Sequence, residues 1–220
     1  MERMADDTSR SGVTYASGEL LEYLNRTHVA HDAGLQHAFD APGREGMPAI
    51  QVGPSEGKTL QLLMRMLGAK KVVEVGTLAG YSAIQMARGL AEGGHLWSIE
   101  FDKKHAEVAR GALKVAGVAE RVTVVEGAGL DVLPTLEQHG PFDAVFIDAD
   151  KANYDHYGRW AAKHTRKGGL LIGDNAFFFG KLLEDSPAAA AMRRFHEEAR
   201  EHYDTVCVPT PDGLLLGIRR

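Results

Sequence analysis

The sequence predicts an α/β fold: a doubly wound, mostly parallel sheet with an antiparallel last strand and helices added at the N-terminus. Three observations predict it. After Lys71, short apolar runs alternate with amphipathic stretches, the pattern of right-handed strand–helix–strand crossovers in a sheet covered on both faces. Glycine is frequent, at 25 of 220 residues, as tight strand-to-helix turns require. The chain closes with two apolar runs separated by Pro209-Thr210-Pro211-Asp212-Gly213, which reads as a hairpin.

Taken in order, residues 17–39 carry Leu20, Leu21, Leu24, Val29 and Leu35 at roughly helical spacing. The turn formers of 41–48, among them Pro42, Gly43 and Pro48, then interrupt that helix. A second helix starts at Pro54, buries Leu60, Leu63, Met64 and Leu67 on one face, and stops at Gly68. The runs 72–75, 95–99, 122–125, 144–147 and 170–172 are strands, with helices over 81–90, 103–116, 130–138 and 153–164 between them. Strands at 203–208 and 214–218 form the final hairpin. Residues 1–16 are expected to be flexible, followed by one domain over 17–220, with N-terminal helices to residue 70 and the α/β core from 71.

Composition limits what such a domain does. A hydrophobic content of 44% suffices for a full core. A net charge of −5 gives no electrostatic reason to expect nucleic acid. The apolar runs are far too short to span a bilayer, and the polar start lacks the apolar core of a signal peptide. A single cysteine, Cys207, excludes an internal disulfide and fits a reducing compartment; it reads as a buried strand residue. A cytoplasmic protein without membrane or nucleic-acid partners is expected. The ten histidines are dispersed without metal-ligand spacing and read as surface or packing residues.

Chemistry concentrates at the ends of the strands. Val73-Glu74-Val75-Gly76-Thr77-Leu78-Ala79-Gly80-Tyr81-Ser82 joins the first strand to its helix, where open α/β sheets bind ligands. Gly76 lets backbone pass close to a ligand, but the spacing is not that of a pyrophosphate-binding loop. Glu74 would repel a pyrophosphate; a cation is attracted instead, and the sulfonium and ammonium groups of S-adenosylmethionine (SAM) fit. Glu100, at the end of the second strand, suits a pair of ribose hydroxyls. Phe146-Ile147-Asp148-Ala149-Asp150-Lys151 and Gly173-Asp174-Asn175 close the next two strands. Asp148, Asp174 and Asn175 thus offer three oxygen ligands on the same edge, a set suited to Mg²⁺, Mn²⁺ or Ca²⁺ and not to zinc.

The segments 74–82, 146–154 and 169–175 together resemble the cation-dependent O-methyltransferases, the family of the caffeoyl-CoA and catechol types and many bacterial relatives. The resemblance covers roughly 52–220. It implies a seven-stranded Rossmann-like class I methyltransferase fold, SAM as methyl donor, a divalent cation (Mg²⁺ first), a catechol-like diol as acceptor, and a homodimer. Asp148, Asp174 and Asn175 match the metal ligands. Glu74, Gly76, Thr77, Ser82, Glu100, Ala128, Asp148 and Asp150 match positions around SAM, and Val52 matches a backbone contact from the preceding loop. Lys151 matches the lysine that accepts the acceptor's proton. Where the plant branch has a Trp-Asn pair, this chain has Phe177-Phe178-Phe179-Gly180, expected as an aromatic wall beside the acceptor or as a dimer contact. A metal-independent methyltransferase on the same fold is the alternative.

Overall fold

The structure, a computed structural model, describes residues 15–220; of the start expected to be flexible over 1–16, residues 1–14 lie outside the described residues. The chain divides into two compact units, Met1–His31 and Asp32–Arg220. Within the first, helix α1 (Gly18–His28) begins at Ser17, whose hydroxyl accepts from the Leu20 amide at 3.2 Å. The second holds α2 (Ala33–Glu45), α3 (Pro54–Leu67), β1 (Lys71–Val75), α4 (Tyr81–Gly89), β2 (His95–Glu100), α5 (Lys103–Val115) and β3 (Val122–Glu126). It continues with α6 (Gly129–Leu136), β4 (Phe142–Ile147), α7 (Tyr154–His164), β5 (Thr165–Gly173), α8 (Pro187–His202), β6 (Tyr203–Val208) and β7 (Leu214–Arg219).

The sheet has seven strands in the order β3-β2-β1-β4-β5-β7-β6. All neighbours are parallel except that β7 runs antiparallel to both β5 and β6, as the hairpin predicts. Alternate residues of each inner strand feed opposite cores, because side chains alternate across a strand. Val72, Ala144, Phe146 and Ile172 pack with α3, α4 and α5 residues such as Leu60, Ile84 and Leu113. Val73, Val145, Ile147 and Leu171 pack with Leu133, Ala161 and Phe195 from α6, α7 and α8. At about 25 cal/mol per Å² of buried apolar surface, these two layers are the main favourable term.

Four features depart from the sequence reading. The apolar spacing over 17–39 belongs to two helices, parted at residues 29–32, with Asp32 opening the second by accepting from Leu35 N at 2.9 Å. Pro42 does not end that helix: α2 runs through it to Gly46, which turns left-handed at φ 63°. A helix-interior proline costs roughly 3 kcal/mol; burial of Leu35, Ala38, Ala41 and Pro42 along one face offsets it. Helix α8 has no counterpart in the sequence reading, although Ser186 caps it, accepting from Ala189 N, and Pro187 stands at its first turn. Strand β5 also starts at Thr165, five residues before the apolar run, across an irregularity where Phe142 pairs Thr165 but Ala144 pairs Leu170.

Candidate active site

Parallel strands end on the same edge, and here the hydrogen-bond ladder continues one residue past the strands. Gly76 N donates to Ile99 O at 3.0 Å, Asp148 N to Val75 O at 2.8 Å, and Asp174 N to Ile147 O at 3.0 Å. Strand register therefore sets Asp148 beside Gly76 and Asp174 beside Asp148. Gly76 adopts φ 98°, and a Cβ there would lie 1.9 Å from the Asp148 carbonyl oxygen. Only glycine fits that approach. The order of strands reverses between β1 and β4, the position at which open sheets form a crevice.

A cavity of about 910 Å³ opens at this edge. Of the residues singled out around a cofactor, Val52, Gly76, Thr77, Ser82, Glu100 and Ala128 line it. So do Asp148, Asp150, Lys151 and Asn175. Glu74 and Asp174 are buried and are not among the lining residues.

Glu74 sits at the centre of the sheet opposite Ser98 of β2, fully enclosed. The hydroxyls of Ser82 and Ser98 donate to its two oxygens at 2.5 Å each, and Thr77 Oγ1 lies 2.5 Å from Ser98 Oγ. Burial pushes the Glu74 carboxyl up to about 8, outweighing those two hydroxyls. Glu100 organises the loop above. Its Oε2 accepts from the amides of Thr77 at 3.1 Å and Leu78 at 2.7 Å, and Oε1 accepts from Asp102 N at 2.9 Å. A carboxylate has about four lone-pair sites, so three loop amides do not exhaust it. Asp102 caps α5, accepting from His105 N at 3.1 Å.

On the other side of Gly76, Lys151 Nζ donates to Tyr154 OH at 2.7 Å, Ala149 O at 3.0 Å and Asp148 Oδ1 at 3.2 Å. Tyr154 is fully buried, and its hydroxyl donates to the carbonyl oxygens of Ile147 at 3.2 Å and Asp174 at 3.1 Å. One phenol thus ties the ends of β4 and β5 to the lysine. Asp150 accepts from Tyr157 OH at 2.6 Å; burial and that carboxylate push the Tyr157 phenol up.

Asp174 is pushed up to about 7, first by burial and then by the neighbouring Asp148 carboxylate. Among the described residues no three His, Cys, Asp or Glu side chains form a metal-holding cluster. The candidate donors are therefore two carboxylates and the Asn175 amide. Two acids whose charges oppose each other, with oxygen as the sole donor type, fit a hard divalent ion.

The three phenylalanines, expected as an aromatic wall or a dimer contact, separate in the structure. Phe177 lies over Gly213, Phe178 packs into the core, and only Phe179 lines the cavity. The sequence reading missed Tyr154, Tyr157 and His105. His105 was grouped with the surface and packing histidines, yet it lines the cavity with Nδ1 3.6 Å from Glu100 Oε1. Its signal was available, as the third residue of a helix whose cap follows Glu100 by two. Cys207 is half-buried in β6, and burial pushes its thiol up. No helix among the described residues is long and apolar enough to cross a membrane.

The O-methyltransferase family model matches residues 29–220. A catechol O-methyltransferase of Niastella koreensis is 45% identical over 79% of this chain and 81% of its own. A catechol O-methyltransferase of Mycobacterium tuberculosis is 44% identical over 90% of this chain and 94% of its own. The crystal structure of an O-methyltransferase from Bacillus cereus in complex with SAH (S-adenosylhomocysteine) superposes with a TM-score of 0.87 at 34% identity, covering 90% of this chain and 96% of that one. With the strand order and the family model in agreement over this length, the chain belongs to the O-methyltransferase family, SAM-dependent enzymes of the class I fold.

Proposed function

We propose that this enzyme transfers the methyl group of SAM to one hydroxyl of a vicinal aromatic diol, with a divalent cation as its helper. The observation that carries the reading is Lys151 Nζ, held on the cavity wall by three acceptors beside the opposed carboxylates of Asp148 and Asp174.

In this reading Gly76, Thr77, Ser82, Ala128, Asp150 and the backbone at Val52 enclose the cofactor, and Glu100 takes its ribose. Glu74 acts from behind the wall through Ser82. Asp148, Asp174 and Asn175 hold the cation, Mg²⁺ by preference with Mn²⁺ and Ca²⁺ as chemical substitutes. When bound, that ion supplies positive charge that favours ionisation of the acceptor hydroxyl. Lys151, as the neutral amine, takes the hydroxyl proton on its nitrogen lone pair and becomes the ammonium. Tyr154 directs its own proton to two carbonyl oxygens, so its lone pair faces Nζ and aims the amine. Positioning of acceptor and donor by the rigid strand ends supplies much of the rate.

A free diol suits the cavity better than a CoA ester. Away from the Asp148 end, the lining carries Glu100, Asp131 and Asp150 and offers, among the described residues, no cluster of basic side chains for the phosphates of a CoA ester. The names of the two catechol O-methyltransferase relatives agree with this choice. A cytoplasmic homodimer completes the proposal, and sedimentation measures the dimer. The test is methyl transfer from labelled SAM to catechol in EDTA, then with Mg²⁺ restored. Activity lost in chelator and regained with Mg²⁺ is expected; full activity in EDTA removes the cation from the reading, and no transfer to any diol removes the acceptor.

A further inference from the structure

Just after Asp174 the backbone is unusual. Asn175, Phe178 and Phe179 take φ 51°, 52° and 54°, a left-handed conformation that bulky side chains rarely adopt. Such geometry persists only where the surroundings over-determine it. Here the surroundings are the turn between β6 and β7. Ala176 N donates to Gly213 O at 2.9 Å, Phe177 N to Asp212 O at 2.9 Å, and Phe179 N to Asp212 Oδ1 at 2.7 Å. The Phe177 ring lies so close over Gly213 that a Cβ there would meet it at 2.6 Å. Among these bonds, a single one comes from a side chain. Asp212 Oδ2 is buried with no hydrogen-bond partner among the described residues, so the Phe179 amide is what the carboxylate serves. The outcome is Phe179, 62% exposed, set at the cavity wall.

We propose that Asp212, which does not line the cavity, is a positioning residue for acceptor specificity. Its carboxylate locks Phe179 in the left-handed conformation and so fixes the aromatic wall against which the acceptor ring lies. A left-handed non-glycine residue costs about as much as one charge-assisted hydrogen bond to a backbone amide contributes. Loss of the carboxylate therefore releases the loop without dismantling the sheet. The acceptor half of this proposal rests on the cavity being the site of an aromatic diol.

The test uses the full chain with Asp212→Ala, Phe179→Ala and both together, assayed with catechol at saturating SAM. Each single change is expected to raise the acceptor KM about five- to tenfold, the scale of one lost aromatic contact. The affinity for SAH is expected to hold within about twofold, since the cofactor is assigned to other residues of the cavity. The double variant is expected to be no worse than either single one, because both remove one shared contact. Asp212→Asn keeps an Oδ1 acceptor and is expected to restore KM to near the parent value. Amide hydrogen exchange supplies an arm independent of activity: Phe179 N–H is protected in the parent and exchanges faster in Asp212→Ala. Multiplying effects in the double variant, a parallel fall in SAH affinity, or an unprotected Phe179 amide in the parent overturns the proposal. That last measurement needs no variant, so it decides the clamp even where Asp212→Ala fails to fold. A parent inactive on every aromatic diol removes the functional reading, while exchange at Phe179 still decides the clamp.

Discussion

At the residue scale the centre of the proposed chemistry is a lysine with every donor occupied. Lys151 has three N–H groups and three acceptors. As an ammonium it has no lone pair, and it takes the acceptor's proton only after releasing one of its own to solvent and dropping one of these contacts. Asp148 at 3.2 Å is the longest of the three contacts and the one that a bound cation would claim. Lys151→Met keeps the length of the side chain and removes the base. A loss of about 10²- to 10⁴-fold in kcat is expected, the usual scale for general base catalysis, with SAH affinity unchanged by calorimetry. Near-parent turnover by that variant rejects Lys151 as the base. The lysine itself was legible in the sequence, standing beside Asp148 and Asp150 at a strand end. Its partner Tyr154 was not, because a tyrosine opening a helix reads as packing until its hydroxyl is seen against the Ile147 and Asp174 carbonyls.

At the scale of elements, the loop from β1 to α4 is where local sequence and long-range structure meet. The glycine at its start was readable as a close-approach residue, but what approaches it was not. The neighbour is the Asp148 carbonyl, 72 residues away in the chain, brought there by the pairing of β1 with β4. Gly76→Ala places a methyl group inside that carbonyl and imposes φ 98° on a residue with a Cβ. Overpacking and strain of a few kcal/mol are expected, read as a lowered Tm and an SAH affinity reduced by about tenfold or more. Parent-like SAH binding by Gly76→Ala contradicts the geometry. Helices α2 and α8 mark the limits of reading elements locally. Pro42 signals an end that burial overrides, and α8 follows a loop whose phenylalanines and glycine mask the Ser186-Pro187 start.

For the α/β unit as a whole, stability is tied to pH through a carboxyl at the middle of the sheet. Glu74 titrates near 8 in the folded state against an ordinary value of 4.5. Between those values the folded chain keeps a proton that the unfolded chain releases, so the Glu74 contribution to stability falls as pH rises through the window and is level outside it. Glu74→Gln is expected to lessen the fall of urea midpoints between pH of about 4.5 and about 8, most clearly above about 7, where the raised Asp174 carboxyl no longer contributes. A variant with the parent's slope across that window rejects the assignment. The sequence by itself determined the strand–helix alternation, the closing hairpin, the acids at the strand ends and the glycine beside them, because periodicity and turn chemistry are local properties of the chain. Tertiary structure decided that Glu74 lies behind the cavity wall, that Tyr154 binds two strand ends to one lysine, and that Asp212 reaches Phe179 across 33 residues. These depend on strand order and register, which bring distant segments to one edge and which no short window of sequence contains.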